Sequence, residues 1–150
     1  MIRRLGPAPG KNTAPLWVWS AAQGRGLPRP DLRRSGWGKP GERLYLLELE
    51  VSSEGVLLSD HQKWHLVLDQ EYVPATLSEA DDWEMEIGAM QSSDVIAPQL
   101  QRRLRQSWER IFVLDDLSDA WGSPETREVQ GTVWKLALEW LENVTCFTAR

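Results

Sequence analysis

The sequence predicts an α+β protein: a small mixed or antiparallel sheet with about three helices in a single domain. Three observations predict it. Short apolar runs with strand character stand near both ends of the 150-residue chain, while stretches with helical spacing are grouped between them. The length suits one hydrophobic core, able to bury roughly 68–70% of the unfolded surface. Hydrophobic residues make up 41% and charged residues 26%, the usual globular mix, which argues against wholesale disorder.

Residues 1–15 hold three prolines and two glycines without periodicity and read as a surface arm. "LWVWS" follows as a strand. Residues 21–42 carry five glycines and three prolines and read as a long loop stiffened at its prolines, a kind of loop that is often functional. "RLYLLELEV" alternates Leu44, Leu46 and Glu48 against Tyr45, Leu47, Leu49 and Val51, which suits a central strand with the second face more fully buried. A turn at 52–55 leads to "VLLS", a further short strand. Ser59 or Asp60 then caps a helix running to about Gln70, with Trp64, Val67 and Leu68 on its apolar face, and Pro74 lies beyond it. Ser78 opens an acidic helix, "SEADDWEMEIGAM". Ala97 to Arg110 form another, with Leu100, Leu104, Trp108 and Ile111 on one side and Arg102, Arg103 and Arg105 opposite. The last third supports either period, and a strand from Glu128 to about Leu138 followed by one from Val144 to Thr148 is the reading favoured here.

Charge is unevenly spread along the chain. Residues 1–43 contain nine Lys/Arg against two acids, a net +7, and residues 44–150 contain eight against twenty, a net −12. A basic leading segment on an acidic body can hold an anion or fold back on its own acidic surface. The overall acidity argues against nucleic acid as partner. No apolar run reaches membrane-spanning length and residues 1–10 lack a signal-peptide core, so a cytoplasmic protein is expected, with no membrane contact. Cys146 is the lone cysteine, which excludes an internal disulfide; a small apolar role is expected for it. Nine tryptophans are an excess whose bulk belongs to the core, except Trp37, set between Gly36 and Gly38 in the long loop.

The chemistry-bearing residues concentrate in two places. Arg29, Arg33 and Arg34 can clamp phosphate or carboxylate through planar, permanently charged forks, with Asp31 orienting one of them and Trp37 stacking on a planar ligand. His61 and His65 share a helix face at the spacing metals use, but a third ligand is missing and Gln62 replaces the glutamate of a zinc protease. No metal and no cofactor is therefore expected. His65, with Asp60, is the candidate acid/base residue, and His61 is expected to face solvent. Phosphate-loop, dinucleotide and nucleophile-elbow signatures are absent.

"RPDLRRSG", "VLLSDHQKWHLVLD", "QSWERIF" and "VQGTVWKLALEWLENV" followed by "CFTAR" together resemble a bacterial family, DUF3841, a domain of unknown function. The likeness runs from about Leu5 to Arg150 and falls on Arg29 to Arg33, Ser59, Asp60, Trp64, His65, Ser107 to Glu109, Gln130 and Trp134. It implies an additional segment of several dozen residues before this chain's start, and a histidine where this chain has Trp37. It also implies a fold-level analogy to ADP-ribosyltransferase-like folds. Two functional expectations follow. One is a nucleotide or other anionic small molecule bound where the arginine loop meets Asp60 and His65. The other is a non-enzymatic protein-interaction or inhibitor module, for example phage- or plasmid-encoded, acting through its acidic surface.

Overall fold

A computed structural model of the chain describes residues 2–20, 31–89 and 97–150. The elements in order are α1 (Ile2–Leu5), β1 (Leu16–Trp19), β2 (Arg43–Leu49), β3 (Leu57–Asp60), α2 (His61–Leu68), α3 (Leu77–Gly88), α4 (Pro98–Ser107), β4 (Val129–Val133) and β5 (Leu141–Thr148). The fold is α+β, with a three-stranded sheet in the order β1-β4-β3 and a two-stranded β2-β5 sheet. The chain divides into two compact units, residues 1–57 with 131–150, and residues 58–130. Among the described residues no helix is long and apolar enough to cross a membrane.

In the first unit β2 and β5 pair antiparallel, from Arg43 opposite Thr148 to Leu49 opposite Leu141, with a bulge at Glu48/Leu49. This corrects the central-strand expectation. A two-stranded ribbon protects one face better than the other, and the protected one carries Leu44, Leu46 and Glu48, while Tyr45 is 56% exposed and Leu47 is exposed too. Arg43 lies over the Tyr45 ring and donates to the sulfur of Cys146, which is exposed rather than packed as a small apolar residue. The leading arm contains one helical turn, and its Leu5 and Gly6 carbonyls accept from the Trp134 indole, each at 3.2 Å. Trp17 and Trp19 are exposed, contrary to a purely structural reading of the tryptophans.

The second unit holds the helices. Asp60 caps α2 by accepting from the main-chain N–H of Gln62 and Lys63. The helix ends six residues before Pro74, where Gln70 adopts a left-handed φ of 60°. Its buried residue is not one of the apolar three, of which Leu68 is exposed, but Lys63. Thr76 caps α3 through Glu79 N. α4 begins on Pro98, a residue that fits the first helical position, and tightens after Ser107 into a 3₁₀ turn, Trp108–Phe112. Leu100, Ile111, Tyr72 and Val73 are buried here. Indole N–H groups close main-chain carbonyls, Trp108 on Glu71 and Trp121 on Pro74, both at 2.8 Å.

Candidate functional site

The arginine loop is organised from within by Asp31. One carboxylate oxygen accepts from the Arg33 main chain at 3.1 Å and from Arg33 Nε at 2.9 Å, and the other accepts from Arg33 Nη2 at 3.3 Å. The Asp31 carbonyl accepts from Arg34 N and from the Trp37 indole, both at 3.1 Å. Arg33's hydrogen bonds hold the Asp31 carboxyl below its usual range, and Asp31 holds the guanidinium above its own. Gly36 and Gly41, at φ of 100° and 85°, turn the chain where a side chain would be strained. The result is a short, self-bonded turn from which Arg33, 78% exposed, Arg34 and Trp37 all reach solvent. Arg29 lies outside the described residues.

Asp60 and His65, expected to join those residues, belong to the other unit. There Asp60 is 0% exposed. One of its oxygens caps α2, and Oδ2 sits 3.8 Å from Arg127 Nε and 4.0 Å from Lys63 Nζ without a hydrogen bond. Lys63, 1% exposed, donates to the Val113 carbonyl at 3.0 Å and to both Asp116 oxygens at 3.1 and 3.2 Å. Arg127 donates to the Asp116 carboxylate and, at 2.7 Å, to its carbonyl. Burial acts to raise the Asp116 pKa, but Arg127 and then Lys63 outweigh it and hold the carboxyl below the ordinary value. Buried Asp60, Lys63 and Arg127 are thus neutralised together with the half-buried Asp116, which is how ionic side chains are tolerated in an interior. Asp60 Oδ2, Arg127 Nε and Gln130 Nε2 remain as buried polar atoms with no hydrogen bond.

At the surface of the same helix start runs a second polar chain. Glu128 Oε2 lies 3.2 Å from His61 Nδ1, and His61 Nε2 lies 3.3 Å from His65 Nε2. His61, expected to face solvent, is the half-buried middle member, and His65 is the exposed end. Among the described residues no group of three or more His, Cys, Asp and Glu side chains is placed to hold a metal ion.

A third cluster ties α3 and α4 together. Glu79 accepts from Arg110 through both carboxylate oxygens, each at 2.9 Å, from the Tyr72 hydroxyl at 2.5 Å and from Ala75 N at 2.7 Å. Burial works to raise its pKa, but Arg110 and then Tyr72 and Ala75 bring it down from 4.5 to about 2. Tyr72 stacks on Trp83 at 4.3 Å, with Arg103 beside both rings. Next to them a hollow of about 460 Å³ is lined by Leu66, Tyr72, Pro74, Trp83, Ile87 and Leu104, with Glu71 and Glu84 at its edge.

Sequence reasoning missed Lys63, Asp116, Arg127 and Glu128. Charged residues are expected outside, so a helix face is drawn through its apolar members and Lys63 is passed over. The available signal was Lys63 three residues after the capping Asp60, within reach of the same carboxylate. Asp116 and Arg127 come from segments with no periodicity.

The fold and these clusters define an α+β protein with a buried ionic centre and an exposed arginine loop. The chain belongs to the family described as a domain of unknown function, DUF3841, whose model matches residues 1–142. No curated protein and no solved structure matches it.

Proposed function

We propose that this protein binds a phosphate-bearing, nucleotide-like small molecule through the loop that begins at Asp31. The observation that carries the reading is the double use of Asp31, whose carboxylate grips Arg33 and whose carbonyl holds the Trp37 indole. Fixing these side chains before a ligand arrives lowers the ordering cost of binding. Arg33 and Arg34 supply charge and paired donors for phosphate, and Trp37 supplies an exposed flat face for a base. The activity read from these side chains is ligand binding. The test is calorimetric titration of the intact chain with a nucleotide panel and with inorganic phosphate. Arg33→Ala with Arg34→Ala should abolish binding and leave the melting temperature nearly unchanged, because both side chains are exposed. Unchanged affinity, or a large fall in stability, refutes the reading.

A second reading is a protein-interaction module, and the observation favouring it is α3. Asp81, Asp82 and Glu84 are exposed on this helix together with Leu77 and Met85, beside the apolar hollow. A basic amphipathic peptide complements such a surface. Association with a Lys/Leu peptide that weakens steeply with salt, without any nucleotide binding, would favour it over the loop.

A further inference from the structure

We propose that His61 and His65 bind a late first-row divalent transition ion, with Glu128 as the outer carboxylate that orients His61. Residues four apart on a helix share a face, and the two Nε2 atoms stand 3.3 Å apart. Imidazole nitrogens at about 2.0–2.1 Å from a zinc-like ion in tetrahedral array are themselves about 3.4 Å apart. The pair therefore stands at chelating distance.

Glu128 adds not a third ligand but an outer partner for the first. A histidine ligand commonly donates its second ring N–H to a carboxylate, which fixes the tautomer and strengthens the donor nitrogen. His61 Nδ1 at 3.2 Å from Glu128 Oε2 meets that requirement and leaves Nε2, 3.3 Å from His65 Nε2, as the nitrogen for an ion. The main chain reinforces the placement, since His61 N donates to the Glu128 carbonyl at 2.9 Å. The Glu128 charge also opposes the positive end of the α2 dipole, which would otherwise disfavour a cation.

The protein supplies two nitrogens, and the remaining positions fall to water or an incoming ligand. His65 is exposed, so an ion reaches the pair from solvent. Two imidazoles without thiolate or a carboxylate cage select copper, zinc or nickel over magnesium and calcium, with copper held most tightly. The site uses neither Arg33 nor Trp37, so it stands independently of the loop.

The test is titration of the untagged full chain with Zn²⁺, and with Mg²⁺ as control, followed by calorimetry and by the imidazole signals in heteronuclear NMR. Wild type should bind one equivalent of Zn²⁺ and none of Mg²⁺, with both histidine side chains perturbed. His65→Ala and His61→Ala should each weaken binding by at least about tenfold, and Glu128→Gln by about 10–100-fold. His65→Gln, conservative at an exposed position, gives the same loss in a chain whose folding is not in question. No equivalent bound by the wild type, or equal affinity in the double histidine variant, overturns the site. Full affinity in Glu128→Gln overturns the role given to that carboxylate.

Discussion

Replacing Glu79 by Gln removes one charge from the cluster that joins α3 to the Tyr72 segment and the turn after α4, while keeping the side chain's size. Glutamine can still accept from Tyr72 or Ala75, but it can no longer form the two-point ion pair with Arg110. The lowering of the Glu79 pKa from 4.5 to about 2 measures how strongly the folded surroundings favour the carboxylate. At about 1.4 kcal/mol per pH unit this sets a ceiling of about 3 kcal/mol at neutral pH. Glu79 is only 25% exposed, so screening takes a modest share, and about 2–3 kcal/mol is the expected loss. The sign follows from the depressed folded value. The contribution is complete above the ordinary carboxylate range and disappears as pH falls from 4.5 towards 2, where the wild type too carries a neutral side chain. Urea unfolding of wild type and Glu79→Gln at pH 7, 4.5 and 3 reads this directly, and the gap between the curves should narrow with acid. A gap under about 0.5 kcal/mol at pH 7, or one that does not change with pH, refutes the reasoning.

Asp60→Ala should cost about 3–5 kcal/mol, because it uncaps α2 and leaves two buried cations facing Asp116 alone; a loss under about 1 kcal/mol by chemical denaturation would contradict this. Lys63→Met should be milder than Lys63→Ala by about 1–2 kcal/mol, since the buried stem still packs when the ammonium is gone. Equal melting temperatures for the two variants would count against it. Asp31→Ala should weaken nucleotide binding by roughly three- to tenfold without changing stability, the cost of ordering Arg33 on binding rather than beforehand. Calorimetry with the same nucleotide panel measures it, and unchanged affinity would separate Asp31 from ligand binding.

Much of the element order was legible in the sequence because period and punctuation are local properties. The Asp60 cap, the Ser52 to Gly55 turn and the apolar stripe through Leu100 and Ile111 follow from neighbours a few residues apart, whereas the stretch after Glu128, which supports either period, is a strand only over Val129–Val133 and not to Leu138, where a 3₁₀ turn begins. Pairing is another matter. That β2 meets β5 about a hundred residues later, as a two-stranded ribbon with Tyr45 exposed, depends on which distant segment arrives, and alternation alone reads the same in a central or an outer strand.

The same division runs through the candidate sites. Asp31, Arg33, Arg34 and Trp37 form a unit that spacing could suggest, since their hydrogen bonds span at most six positions. What only the tertiary structure decided is the company kept by the start of α2. Lys63 meets Asp116 across 53 positions and His61 meets Glu128 across 67. A lysine is stable in an interior only when a carboxylate arrives from elsewhere in the chain, and a histidine pair acquires a fixed tautomer only when an acid stands behind it. The sequence by itself determined which short segments curl, extend or turn; long-range closure determined which charges were buried and which were left facing water.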